Sequence, residues 1–179
     1  MTLTSLFIFS NNADLNCISA FEAIKQIPGT SFITKLERYR KITLQFSEPL
    51  AHDTVSAIHI LTTQSFDILN PNKESYHTDC IPSIIPTYSH VVEVAPKSTQ
   101  DNSSLFKRIC IKCPSIGLQQ IRQSVVWHFK CSTPLSPADV SFLDQNVVMT
   151  STRQSGLLVN PLFETMSHFQ PLPIPCQSS

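Results

Sequence analysis

The sequence predicts an α+β fold, a two-layer sandwich in which a duplicated β-α-β-α unit forms a four-stranded sheet with helices on one face. Apolar residues alternate with polar ones in some stretches and recur at helical spacing in others, in the order strand, helix, strand, helix. The same order returns in the second half. In addition, Ser47-Glu48-Pro49-Leu50 is matched 85 residues later by Ser132-Thr133-Pro134-Leu135.

The first copy is predicted over residues 3–63. Residues 3–9 are mostly apolar and predict a buried strand. Apolar residues at helical spacing follow from Leu15 to Ile27, and Pro28-Gly29 ends that helix because proline cannot continue it. Alternation over 32–46 predicts a strand with one solvated face. The segment 53–61 carries its apolar residues on one side and predicts a second helix.

The second copy is predicted over residues 89–150. Residues 91–94 form its first strand, a helix runs from about Ser103 to Cys113, 121–131 is a strand, and 139–148 is the last helix. Prolines and Asn70-Pro71-Asn72 make 64–88 a connector between the copies.

Residues 1–150 are thus predicted to form one domain, and 151–179, rich in Ser, Pro and Gln, a tail or linker. Within this tail, residues 156–163 are expected to dock and the last nine to be mobile.

The offset of 85 residues holds without gaps beyond the tetrapeptide. Val55-Ser56 falls on Val140-Ser141, and Phe21 falls on Phe106. A self-match at one offset is the signature of a duplicated supersecondary unit. One copy is too small to bury both faces of two strands, so the two copies are expected to share a single sheet.

Composition narrows the classes of function. The chain has 179 residues, of which 41% are hydrophobic and 15% charged, and its 13 basic and 13 acidic residues cancel. This balance gives no global electrostatic footprint for nucleic acid or an anionic membrane. A weakly charged surface is instead typical of a protein that a partner covers. Apolar runs also fall short of the roughly 20 residues that span a bilayer.

Candidate metal-binding and nucleophilic residues each also have a simpler interpretation. Cys110 and Cys113 have the C-x-x-C spacing that is used for zinc or for redox exchange, and His128 with Cys131 would have to complete a zinc site. His128 with Cys131 is also a candidate nucleophile pair. The simpler interpretation is a pair of reduced thiols at a helix end. All six cysteines are expected to be reduced, as in a cytosolic or nuclear protein.

Two further groups have an ordinary interpretation. His52 and His59 lie seven residues apart and are expected to be solvated. The basic run is expected to be the solvated face of a strand rather than a phosphate or RNA patch; it comprises Lys35, Arg38, Arg40 and Lys41. The three glycines of the chain form no Gly-rich phosphate loop.

The second half resembles a known family. The residues that carry the resemblance are Glu93-Val94-Ala95-Pro96-Lys97, Cys113 with Gly117-Leu118-Gln119-Gln120-Ile121, Trp127–Lys130 and Ser136–Asp144. They are similar to the E-V-G-P-R strand end, the G-L turn, the next strand and the final helix in the N-terminal domain of the large phosphoribosylformylglycinamidine synthases of purine biosynthesis. Arg122-Gln123-Ser124 departs from the V-x-R-x-E pattern of that family.

The resemblance covers residues 1–150 and is most specific over 89–145. The family's domain looks like a fused pair of the small purine-synthase subunit, a pseudo-dimer, which agrees with the duplication. Gammaherpesvirus tegument proteins carry a diverged, catalytically degenerate copy of the synthase, and this chain is similar to such a homologue or a fragment of one.

The resemblance implies a non-catalytic assembly module. In the family, the ATP, substrate and glutaminase sites lie in later domains, so no catalytic, cofactor-binding or metal residue is assigned here and no cofactor is expected. The implied partner is a protein: a synthase core, a glutaminase or a host nuclear protein, with no membrane or nucleic acid. The implied location is the cytoplasm, or the host nucleus or virion tegument for a viral homologue. The alternative is a small ligand-binding domain or enzyme on an α+β sandwich.

Overall fold

Six antiparallel strands form one open sheet in the order β3-β1-β2-β5-β4-β6. The computed structural model describes residues 2–47, 54–64, 66–98, 102–149 and 158–169. The strands are β1 (Thr2–Ser10), β2 (Ile33–Phe46), β3 (Glu74–Thr78), β4 (Ser89–Pro96), β5 (Leu118–Cys131) and β6 (Glu164–His168).

Four α-helices accompany the sheet: α1 (Leu15–Lys25), α2 (Thr54–Gln64), α3 (Asn102–Lys112) and α4 (Pro137–Phe142). A 3₁₀ turn, Pro114–Ile116, precedes β5, and α4 continues into a π-helix, Leu143–Val148. Sequence explains two of the helix starts. The Asp14 carboxylate accepts the first free N–H groups of α1, and Ser136 and Asp139 form a reciprocal capping box on α4.

The α+β class is confirmed, but the prediction of four strands is wrong. β3 lies within the predicted connector and pairs with β1, and β6 lies within the predicted tail and pairs with β4. Both are five-residue edge strands, Glu-Ser-Tyr-His-Thr and Glu-Thr-Met-Ser-His. Such short polar segments carry no clear apolar alternation, because backbone hydrogen bonds to one neighbour, rather than burial, hold them in the sheet.

The helices pack on one face of the sheet, over the central pair β2 and β5. Near one end of this pair, α2 and α3 bury Leu61 and Ile109 against sheet residues that include Leu44. Near the other end, α1 and the π-helix pack against residues that include Leu36 and Phe129. Leu36 and Leu44 are an even number of residues apart in β2, so both groups lie on the same side of the sheet.

The opposite face of the sheet is covered only in part. Ile81 and Ile84 from the β3–β4 connection, together with Phe169, pack on a patch that includes Phe7 and Tyr39. Beyond this patch, the face presents polar side chains from the central strands.

Each edge strand begins with the same turn. Asn70-Pro71 precedes Glu74 by the spacing N-P-x-x-E, and Asn160-Pro161 precedes Glu164 in the same way. The Glu74 carboxylate accepts the N–H of Asn70 at 2.8 Å, and that of Glu164 accepts the N–H of Asn160 at 2.7 Å. Sequence analysis missed this match because its offset is 90 residues rather than 85.

Several predicted features lie outside the described residues. They are residues 48–50 of the first S-x-P-L pattern, His52, residues 151–157, which include Gly156, and residues 170–179, which include Cys176.

Gly117 sets the entry to β5. Its φ of +70° is left-handed, and its carbonyl accepts both the N–H and the hydroxyl of Ser47, at 2.9 and 3.1 Å. A Cβ at this position would lie 2.6 Å from Ser47 Oγ. Gly29 is also left-handed, with φ of +87°, but the nearest atom to its Cβ would be a ring carbon of Phe142 at 3.4 Å.

We expect Gly117→Ala to lower the free energy of unfolding by more than the roughly 1–2 kcal/mol of a left-handed L-residue, because it adds a steric clash. Gly29→Ala, the matched control, should lose only that strain energy. The double variant Ser47→Ala/Gly117→Ala should lose less unfolding free energy than the sum of the losses in the two single variants, Ser47→Ala and Gly117→Ala. Urea unfolding measures all four variants, and equal losses at the two glycines would contradict this account.

Candidate functional site

Charged and titratable side chains gather on both faces of the sheet. The first group, the Glu37 network, lies on the face opposite the helices and comprises Lys35, Glu37, Tyr39, His128 and Lys130. The second, the His–Asp cluster, lies on the helix side and comprises His90, Asp144 and His168.

The register of β2 against β5 builds the Glu37 network. Lys35 lies opposite Lys130, and Glu37 lies opposite His128. Glu37 Oε1 accepts from the Nζ atoms of Lys35 and Lys130 at 2.8 and 2.9 Å. Glu37 Oε2 accepts the Tyr39 hydroxyl at 3.1 Å. Residues 35, 37 and 39 alternate along β2, so their side chains share one face of the sheet.

This network fixes the charge of its central carboxylate. Burial opposes ionisation of Glu37, but the contacts from His128, Lys35 and Lys130 outweigh it and hold the pKa of the carboxyl well below its usual range. Burial, together with the negative charge of Glu37, raises the pKa of Tyr39. Glu37 is therefore an ionised acceptor, and Tyr39 is a neutral donor at physiological pH.

Ser89, His128 and Glu37 lie in the order of a nucleophile, a base and an acid. Ser89 Oγ is 2.9 Å from His128 Nε2, and His128 Nδ1 is 3.2 Å from Glu37 Oε2. The contact between His128 Nδ1 and Glu37 lacks hydrogen-bond geometry, and Nδ1 has no hydrogen-bond partner among the described residues. His128 is fully buried, and Ser89 Oγ also accepts the N–H of Ile85. The arrangement links β2, β5 and β4, and it leaves no space for a substrate beside the imidazole.

The cysteines do not form the predicted sites. Cys110, Cys113, His128 and Cys131 are all described, yet they are not gathered as metal donors. His128 and Cys131 are three residues apart in β5 and thus on opposite faces. Burial, and the nearby Asp139, raise the pKa of Cys131 to about 11. Cys80 is disulfide-bonded, contrary to the expectation of reduced thiols throughout, while the other described cysteines are free.

Carboxylates neutralise the basic run, one of them from β2 itself and three from other parts of the fold. Its partly buried members are not the solvated strand face that the sequence predicted, and only Lys35 is largely exposed. The pairs are Lys35–Glu37, Arg38–Asp14, Arg40–Glu74 and Lys41–Glu93, with N–O distances of 2.8, 3.2, 3.1 and 2.8 Å. The run also divides between the two faces of β2, with Lys35 and Lys41 on one and Arg38 and Arg40 on the other, and each is paired with a carboxylate, so the run forms no phosphate-binding patch. His59 is exposed on α2, as expected.

The His–Asp cluster joins three elements at one edge of the sheet. His90 lies near the start of β4, His168 ends β6, and Asp144 is the second residue of the π-helix. Asp144 Oδ1 is 2.8 Å from His90 Nε2, and Asp144 Oδ2 is 2.7 Å from His168 Nε2. The side chain of His90 is 6% exposed and that of His168 is 52% exposed. Burial lowers the pKa of His90, although Asp144 opposes this effect.

Sequence reasoning missed this cluster because its members are far apart in the chain. His168 also belongs to a strand that was predicted as tail. The β4–β6 register places Val92 beside His168, and His90 is two residues from Val92 on the same face. Among the described residues, this cluster is the one group of three donors close enough to hold a metal ion.

A groove of about 400 Å³ lies between α1 and β2. It forms because β1 pairs with β2 only from Arg40 onward, so residues 35–39 of β2 have β5 on one side and the groove on the other. Cys17 Sγ donates across it to the carbonyl of Leu36 at 3.2 Å. Ile18 on α1 is part of the lining and is 48% exposed. We call this feature the α1 groove.

No protein-family model matches this chain, and no curated protein matches it either. Within the described residues, no helix is long and apolar enough to cross a membrane. The resemblance to the synthase domain therefore rests on the residues that carry it in the sequence.

We expect Glu37→Gln to lower the free energy of unfolding by about 2 kcal/mol at pH 7, because it leaves two lysines without their acceptor charge. Glu22→Gln, which removes an exposed pair with Lys25 on α1, is the control and should cost less than about 1 kcal/mol. Urea unfolding followed by the single tryptophan, Trp127, measures both.

The stabilisation that Glu37 provides should also depend on pH. The folded-state pKa of Glu37 is depressed, so its contribution is complete above the unfolded-state glutamate pKa of about 4.3 and is lost as pH falls below that value. The difference in unfolding free energy between wild type and Glu37→Gln should therefore shrink from pH 6 toward pH 3. A difference that is constant over this range would contradict the proposed charge state.

Proposed function

We propose that this chain is a non-catalytic interaction module that packs against a larger protein, as the N-terminal domain does in the phosphoribosylformylglycinamidine synthases. One observation carries the proposal: the sheet order β3-β1-β2-β5-β4-β6 has the first three strands on one side of its centre and the last three on the other, in mirrored sequence. This arrangement is the one expected of a fused pair of similar units.

We propose further that the two halves arose by duplication of a β-α-β-α-β unit, one strand longer than the unit predicted from the sequence. On this basis β1, β2 and β3 correspond to β4, β5 and β6, α1 corresponds to α3, and α2 corresponds to α4 with the π-helix. The N-P-x-x-E turn before each edge strand supports the correspondence, because its two copies make the same hydrogen bonds. A duplicated unit agrees with the pseudo-dimer that the family resemblance implies.

The states of Cys17, Cys131 and Ser89 support a non-catalytic role. Burial and the charge of Asp14 raise the pKa of Cys17 to about 11, and Cys131 is similarly shifted. Neither thiol ionises appreciably near pH 7, and a thiolate is what cysteine chemistry requires. The Ser89 hydroxyl is engaged by a fully buried histidine and by a backbone N–H.

The α1 groove is the surface that we propose for the partner. Its floor includes a section of β2 on which, within the described residues, no strand lies on the groove side. An extended segment can add to such an edge through backbone hydrogen bonds once the Cys17 thiol releases the Leu36 carbonyl, while apolar side chains fit beside it. Ile18 would supply an apolar contact. We therefore propose as occupant an extended apolar segment of a synthase-like core, whether from another protein or from the same polypeptide.

We expect the intact chain to form a 1:1 complex with a purified phosphoribosylformylglycinamidine synthase core from which the core's own N-terminal domain has been removed. Ile18→Arg should weaken this complex at least about tenfold, a loss of roughly 1.4 kcal/mol. Val55→Arg is the matched control, because Val55 is 77% exposed on α2 and is not part of the groove lining. Isothermal titration calorimetry measures the affinities.

The outcomes test the identity of the partner and the location of the binding surface separately. A complex that Ile18→Arg does not weaken would overturn the groove, while the assembly role would stand. Failure to bind the core would overturn the assembly role, and a host nuclear protein bound in its place would indicate that the scaffold has been redirected. Co-purification of a phosphate or nucleotide would favour the alternative of a ligand-binding domain or enzyme.

A further inference from the structure

We infer that the His–Asp cluster is a binding site for a divalent transition metal, with Zn²⁺ as the ion that fits it best. The inference goes beyond the proposed assembly role and does not depend on it. The cluster offers two imidazole nitrogens and one carboxylate oxygen. Imidazole nitrogen is a preferred donor for zinc, and three protein ligands with one open position are a recurrent zinc arrangement.

The positions of the donor atoms suit such an ion. The nitrogen and oxygen atoms all lie within 4.8 Å of one another. Zinc bonds of about 2.0–2.2 Å in tetrahedral geometry require donors about 3.3–3.5 Å apart. Each histidine nitrogen now lies 2.8 or 2.7 Å from an Asp144 oxygen, so binding an ion through one of these oxygens would move it apart from the nitrogens by roughly 0.5–0.8 Å.

The three donor side chains differ in how tightly the surrounding structure holds them. His90 is buried against Phe129, with ring centroids 5.9 Å apart, and this contact orients its imidazole. Asp144 follows Leu143 in the π-helix, and Leu143 is fully buried in the core. π-Turns within helices occur frequently at functional sites. His168 is half exposed, so its ring has the freedom to close on an ion.

The exposed side of the cluster defines the fourth coordination position. Because His168 is open to solvent, a water molecule would complete a tetrahedral site from that direction. The ion would connect β6 to β4 and to the π-helix. β6 is a five-residue edge strand with a single neighbour, so a metal clamp would stabilise it more than any interior strand.

The test uses the intact chain after treatment with a chelator. We expect calorimetric titration with Zn²⁺ to give one site per chain. His168→Gln and Asp144→Asn should each lower the affinity at least about tenfold. His59→Gln is the control, because His59 is exposed on α2, outside the cluster. Circular dichroism checks that all three variants are folded; His168→Gln is the safest of them, since the side chain is half exposed.

Two further readouts exclude binding elsewhere. Co²⁺ should give a visible spectrum of low coordination number without a thiolate-to-cobalt charge-transfer band, because the donors are nitrogen and oxygen. Zn²⁺ should also slow hydrogen exchange of the β6 amides in wild type and in His59→Gln, but not in His168→Gln.

Three results would each overturn the inference. They are the lack of a one-to-one site, an affinity unchanged in both cluster variants, and a thiolate band showing that the free cysteines hold the ion. None of them bears on binding of the synthase core, so failure of the metal site and failure of the assembly role are distinguishable.

Discussion

The pairing of β2 with β5 is the interaction on which the rest of the structure depends. The two 14-residue strands run antiparallel from Ile33 opposite Cys131 to Phe46 opposite Leu118. Their helix-facing side chains supply the floor of both hydrophobic clusters, so all four helices depend on this one register. A slip by one residue would turn those side chains to the other face and expose them. Burial therefore specifies the register strongly.

The same register determines the chemistry on the opposite face. Glu37 meets His128 and Lys130 only because the residues that alternate with the core positions fall opposite one another, whereas Lys35 is its neighbour two residues away on β2. Its negative charge is thus a by-product of the pairing that builds the core. The network in turn favours this register, since a one-residue slip would take His128 and Lys130 away from Glu37 while Glu37 stays partly buried. Core packing and polar pairing select the same alignment, a consistency that favours a single folded state.

The difference between buried elements and elements held by polar contacts explains what the sequence could predict. Periodicity identified the four helices and the four longer strands in order, because each buries one apolar face, and Pro28-Gly29 placed one helix end. The edge strands β3 and β6 escaped detection because polar residues joined by backbone pairing leave no such pattern. The basic run was misinterpreted because the carboxylates that neutralise it, such as Asp14 and Glu93, come from other elements. The His–Asp cluster was invisible because it requires β6 in place.

The two edge strands, β3 and β6, are held to the sheet by different side-chain contacts. β3 is held by its N-P-x-x-E turn and by Arg40, which lies 3.1 Å from the Glu74 carboxylate and donates to the carbonyl of Ile68. β6 begins with the same turn, but the residue opposite Arg40 in β5 is Val125, which has no charge to offer Glu164. The second edge therefore lacks the arginine anchor at the start of its strand. It has instead the His168–Asp144 contact at the strand's end, where the donor set suits a metal ion. If the halves share an origin, the His–Asp cluster replaces the ion pair that the second half no longer has.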